Sequence, residues 1–163
     1  MTRSNAREIA MQIVFSLKVG RFDPSEVLNS WLTEERFQEL AEEMPLYDQF
    51  PEEKQEQYIR QVVLGTVSHG EELDRRISQY AVGWAFSRIP KMAVAIMKVA
   101  MFEVLYLSDV PTASAIDEAV EIAKGYEPPE VVSFLNGILG SFVRAEFPDA
   151  PPKPQRDMEA QPE

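Results

Sequence analysis

Between residues 4 and 146 the apolar side chains recur three and four positions apart, and no segment alternates apolar with polar as a half-buried strand requires. A chain patterned in this way buries its apolar surface by packing helices against one another. The most apolar segment, Lys91 to Ser108, carries Ala95, Val99, Phe102 and Tyr106 along one face and is expected at the buried centre. It contains Lys98 and Glu103 and is too short to span a bilayer. Hydrophobic residues make up 45% of the chain, enough for a sizeable core.

Local signals divide the rest. A first helix is predicted from Ser4 to Val19, with Ala6, Ile9, Ala10, Ile13 and Leu17 inward, Val14 widening the stripe and Gly20 closing it. Arg3 and Arg7 stand four apart and so share a face at its start. Asp23-Pro24-Ser25-Glu26 sets an acceptor, a first-turn proline and an acid in the order that opens a helix, which is expected to run until just before Pro45. Residues 41–53 read as a linker in which Tyr47 and Phe50 pack locally. One long helix is then expected, from Pro51 or Glu52 through His69 and Gly70 to Tyr80 or beyond, bent at that pair. Gly83 and Pro90 bracket a turn.

The stretch Asp109 to Arg144 reads as two helices and a turn. Pro111 ends what precedes it. Ala115, Ile116, Ala119, Val120 and Ala123 form a small-residue stripe, with Asp117, Glu118, Glu121 and Lys124 on the other face. Gly125 stands where a left-handed cap is expected, and Pro128-Pro129 opens the next helix. Gly137 and Gly140 inside that helix point to a close helix–helix contact, since each costs roughly 1 kcal/mol against alanine. After Phe147 the chain is rich in proline and nearly devoid of apolar residues, which predicts a disordered tail over 148–163. The expected fold is all-α, a compact bundle of about seven helices over residues 1–147.

Composition restricts the chemistry. There is no cysteine, which excludes thiolate metal sites, disulfides and a cysteine nucleophile and agrees with a reducing cytoplasm. The N-terminus does not read as a signal peptide. His69 is the one histidine, so neither a histidine metal cluster nor a triad can be assembled, and a structural or solvent-facing role is expected for it. No glycine-rich phosphate loop is present; the GILG run lies inside an apolar helix pattern. Asp117, Glu118 and Glu121 read as a solvated helix face, and Met92, Met97 and Met101 as core filler. No catalysis, metal or cofactor is expected. The net charge of −11 argues against a phosphate-binding surface, yet it is unevenly spread. Residues 1–24 carry four bases against two acids, +2, while residues 25–57 carry ten acids against two bases, −8.

Four blocks in order carry a family resemblance: RSNAREIAMQIVFSL, LGTVSHGEELDRRISQY, IMKVAMFEVLYLSDVP, and VPTASAIDEAVEIAKGY followed by FLNGILG. Together they resemble the NusB family of bacterial transcription antitermination factors over roughly residues 3–144. The resemblance implies an all-α fold in two small subdomains. It implies binding of the boxA element of nascent RNA together with NusE, a small-subunit ribosomal protein. The assembly acts on RNA polymerase to read through terminators, notably in ribosomal RNA operons, without catalysis and without a membrane; a homodimer is a further assembly open to such a chain. By position, the family's N-terminal basic motif falls on Arg3, Ser4, Asn5 and Arg7, and its RNA contacts near the last turn on Tyr126, Glu130 and Phe134. The NusE-facing positions fall on Phe15, Ala93 and Val94.

The chain departs from the family at several of these positions. Ser4 and Asn5 replace arginines, Ala93 and Val94 replace an acid and a base, and Asp117 stands where asparagine is usual. The alternative reading is therefore a helical protein-interaction module of the same fold with weak RNA affinity. A fusion to an RNA methyltransferase, which also occurs among such domains, finds no matching glycine-rich loop here.

Overall fold

The computed structural model describes residues 1–150. The expected all-α architecture is observed, with eight α-helices among these residues: α1 Arg3–Val19, α2 Pro24–Trp31, α3 Glu34–Ala41, α4 Glu53–Ser68, α5 Gly70–Tyr80, α6 Lys91–Tyr106, α7 Thr112–Ala123 and α8 Pro129–Glu146. Short 3₁₀ turns at Pro45–Tyr47 and Phe86–Arg88 lie in two of the connections. Most of the tail expected over 148–163 lies outside the described residues.

The helix starts follow local chemistry. Thr2 and Asp23 accept hydrogen bonds from the amides of Asn5 and Glu26, as N-cap side chains do. The predicted helix after Pro24 is two helices. Leu32 leaves helical geometry, and Thr33 caps a new start by accepting from the Arg36 amide. The predicted long helix is also two. His69, with φ −99° and ψ 18°, separates α4 from α5. Gly125 does not adopt the expected left-handed cap. Among the described residues the positive-φ glycine is Gly83, at 86°, which turns the chain after α5.

α6 is the axis of the fold. Met97, Met101, Ala95, Ile96 and Val99 along it are fully buried. On one side α1, α2, α3 and α4 form a group, in which α1 packs along α4; on the other, α5, α7 and α8 pack around α6 and each other. Both groups share one apolar core that also takes Ile9, Ile13, Ile59, Leu135 and Phe142. The close helix contact is not at Gly137 or Gly140. A Cβ at Gly137 would meet open space and one at Gly140 only the Arg144 side chain, whereas one at Gly65 in α4 would overlap the Phe102 ring of α6. Tyr47 and Phe50 pack edge-on against Phe37, which anchors the 41–53 connection.

Candidate nucleic-acid interface

The N-terminal end of α1 holds the basic positions, and the structure separates the two arginines. Arg3 is half-buried. Its Nε donates to Gln55 Oε1 at 3.0 Å, and its guanidinium lies 3.9 Å from the centre of the Tyr58 ring. Ser4 is half-buried and Asn5 exposed beside it. Arg7, which helical spacing sets beside Arg3 on the surface, is instead 4% exposed. The reason is Glu103 on α6, itself fully buried. Arg7 donates from Nε to Oε1 at 2.7 Å and from Nη2 to Oε2 at 2.9 Å, a bidentate pair, and its Nη1 also meets Glu118 of α7. Tyr58 donates its hydroxyl to the same Glu103 at 2.7 Å. Burial opposes the charge of Arg7, but Glu103 outweighs it and holds the pKa above the ordinary value. Burial and the adjacent Glu103 charge push the Tyr58 hydroxyl up. The Arg7 charge is thus neutralised inside the protein, where it ties α1 to α6 and α7.

The turn between α7 and α8 closes on the end of α7. The amides of Tyr126 and Glu127 donate to Ala123 O at 3.0 and 2.9 Å. Tyr126 is half-buried and spans back to α1: it donates to Glu8 Oε2 at 2.6 Å and accepts from Gln12 Nε2 at 2.7 Å. Gln12 accepts from the Tyr47 hydroxyl, and Tyr47 accepts from Trp31 Nε1 at 3.1 Å. Five side chains from four parts of the chain therefore form one relay. Desolvation pushes the Tyr47 hydroxyl up to about 12, and it raises that of Tyr126 with help from Glu8. Glu130 is exposed in the first turn of α8. Phe134 does not join the relay; its ring stacks on Trp84 of the α5–α6 connection, centroids 4.5 Å apart, and Trp84 is 43% exposed.

Beside Tyr126 lies an apolar groove of about 820 Å³, lined by Phe15, Val19, Phe22, Trp31, Met44, Met92 and the polar Gln12, among others. Phe15 thus faces a surface that another molecule can reach. Ala93 and Val94 do not: each is 1% exposed, because α6 turns both toward the core. Met92, read from sequence as core filler, is the α6 side chain that reaches the groove, while Met97 and Met101 are indeed buried.

The remaining candidates are placed as follows. Glu118 meets Arg7, Lys124 pairs with Glu121 at 2.7 Å, and no group of three or more metal-ligating side chains is assembled among the described residues. His69 stacks on Tyr106 at 4.1 Å and faces Glu72 Oε2 at 3.2 Å. No helix among the described residues is long and apolar enough to cross a membrane. Sequence reasoning missed Glu8, Gln12, Trp31 and Trp84. Glu8 and Gln12 had a readable signal, a polar pair four apart beside the inner stripe of α1.

Comparison with known proteins agrees with this architecture. The NusB family model matches residues 4–144. A transcription antitermination protein NusB of Acetivibrio thermocellus is 36% identical over 159 residues, covering 98% of this chain and 100% of the relative. One of the same name from Symbiobacterium thermophilum is 38% identical over 144 residues, covering 88% and 90%. Among solved structures, NusB of T. maritima superimposes with a TM-score of 0.75 at 25% identity, covering 93% of this chain and 94% of that one. A structure of antitermination factors NusB and NusE in complex with dsRNA gives a TM-score of 0.69 at 20% identity, covering 88% and 96%, a likeness of fold. These relatives are transcription antitermination proteins, and the family is not one of enzymes. With its model matched over 4–144 and relatives of this identity aligned along nearly its whole length, the chain belongs to the NusB family.

Proposed function

We propose that this chain is a cytoplasmic transcription antitermination factor that binds boxA RNA together with NusE, and that the assembly promotes read-through by RNA polymerase, notably in ribosomal RNA operons. The observation that carries the reading is the position of Tyr126. It belongs to the α7–α8 turn, lines the apolar groove with Phe15, and is hydrogen-bonded to the helix whose first turn holds Arg3. RNA and protein partner would then meet on adjoining surfaces. Arg3, with the polar Ser4 and Asn5, takes backbone phosphate. Tyr126 and the Phe134–Trp84 stack offer rings for unpaired bases, with Glu130 at the rim. NusE occupies the groove at Phe15, Met92 and Trp31. Arg7 supports this surface from beneath rather than touching RNA. In the complex with NusE and RNA, crosslinks are expected at the start of α1 and around residues 124–134; crosslinks confined to other faces would refute the assignment.

A second reading has its own support. The basic motif is depleted at Ser4 and Asn5, Arg7 is neutralised by Glu103, and the net charge is −11. A protein-interaction module with weak RNA affinity fits those facts. It predicts a stable complex with NusE whose RNA affinity does not exceed that of NusE alone.

A further inference from the structure

The stretch from α5 into α6 stands apart in an acidic chain. Residues 75–102 carry Arg75, Arg76, Arg88, Lys91 and Lys98 and no acid, against −11 for the whole protein. Arg76 is taken up by Glu72 and Glu146, and Lys98 by Asp74. Arg88 and Lys91, around the α5–α6 connection, are exposed and make no ion pair among the described residues. Lys18, near the end of α1, is exposed beside the same connection, its ammonium 4.7 Å from the centre of the Phe86 ring. Desolvation lowers the Lys18 pKa, and the charges of Lys98 and Lys91 lower it further, against Asp74. Like charges this close repel one another, and an anion lying across them relieves the repulsion.

Aromatic side chains interleave with these cations. Trp84 stands four residues before Arg88 and two after Val82, which is 86% exposed. The Trp84 ring rests on Phe134 at an interplanar angle of 29° and keeps much of its surface in water. A ring backed on one side and open on the other is a platform on which a base can stack. The patch also continues the face assigned above to RNA. Phe134 belongs to α8, and the Glu127 carboxylate in the α7–α8 turn accepts a hydrogen bond from the Ala93 amide in the first turn of α6. The turn that carries Tyr126 therefore abuts the helix end that carries Lys91.

We propose that the α5–α6 connection holds single-stranded RNA flanking the boxA element, without regard to its sequence. Lys18, Arg88 and Lys91 take backbone phosphates, and Trp84, backed by Phe134, stacks a base. The inference rests on the RNA-binding reading above and lengthens its footprint. Single-stranded RNA fits this surface better than an acidic peptide does. Each nucleotide brings both a charge and a flat π-face, and the patch offers cations and an open ring together.

The test is a titration of the full chain, alone and with NusE, against three single-stranded RNAs: boxA itself, boxA with a run of uridines added at each end, and oligouridine as long as the extended RNA. The extended RNA should bind at least threefold tighter than boxA itself. Arg88→Gln combined with Lys91→Gln should abolish that gain and lower the salt slope for oligouridine by about 1.4, the share of two phosphate contacts on a single strand. Affinity for boxA itself and the melting temperature should stay as they are, because both side chains are exposed. Trp84→Leu should weaken oligouridine severalfold with the salt slope unchanged. BoxA binding with no gain from the added uridines overturns this inference and leaves the proposed function standing. Oligouridine binding that the double variant loses, with no preference for boxA, upholds the patch and refutes the boxA reading. A double variant that binds NusE more weakly and oligouridine as before makes the patch a protein contact, and the inference falls. Failure of all three RNAs to bind overturns both.

Discussion

Arg3 and Arg7 are the same residue type one helical turn apart, and the structure gives them different work. Removing Arg7 strands Glu103, which is fully buried and would keep only the Tyr58 hydroxyl. Breaking a buried pair from one side costs about 3–5 kcal/mol, so Arg7→Ala should lower stability by that amount in denaturant unfolding. Arg3→Ala loses one hydrogen bond and a cation–π contact at a half-buried site and should cost only about 1 kcal/mol. In RNA binding the order reverses in kind. Arg3→Ala should weaken all sequences similarly and reduce the salt slope by about 1, read from titrations at several salt concentrations. The helical spacing of the two arginines was legible in the sequence. The buried acid that claims one of them lies 96 positions away and was not. The tyrosines add a pH signature. Burial raises the Tyr47 hydroxyl from 10.0 to about 12, so folding keeps its proton where the unfolded chain loses it. That contribution is complete below pH 10 and is lost as pH rises through about 12, a change of order 2–3 kcal/mol. Stability should therefore fall over that interval, and Tyr47→Phe should make the fall shallower.

At the scale of elements, glycine separates what pattern reveals from what packing decides. Gly137 and Gly140 resemble a helix-contact motif, but the space beyond Gly137 is open and Gly140 meets only Arg144. Gly65 carried no such signal and is the glycine pressed against the Phe102 ring. Gly137→Ala should stabilise by up to about 1 kcal/mol, through helix propensity alone. Gly65→Ala should destabilise by about 1–3 kcal/mol or more, since the ring must move within a packed core. Equal effects in thermal melts would contradict this account of the α4–α6 contact. The positions of α1, α6, α7 and α8 followed from periodicity and from proline. The break at Leu32–Thr33 did not, and at His69–Gly70, where a bend within one helix was expected, the helix ends and a new one begins. Thr33 is a cap signal hidden within an otherwise continuous apolar phase, and His69 breaks the helix with neither proline nor a side-chain cap.

The whole molecule presents an acidic protein with one basic-tipped helix, an apolar groove and a tyrosine joining the two. The resemblance supplied the positions of Tyr126 and Phe15, but not the relay from Trp31 to Glu8 that connects them. That relay depends on side chains far apart in sequence. With Arg7 neutralised and two arginines absent, the chain alone has little charge to hold phosphate. A basic ribosomal protein in the adjoining groove would supply charge and be drawn to the acidic surface. The most direct measurement is a titration of boxA RNA with this chain, alone and with NusE from the same organism, at one fixed salt concentration. The account predicts binding at least tenfold tighter with NusE than with either protein alone, on the order of 1.4 kcal/mol. Equal affinity with and without NusE would contradict it.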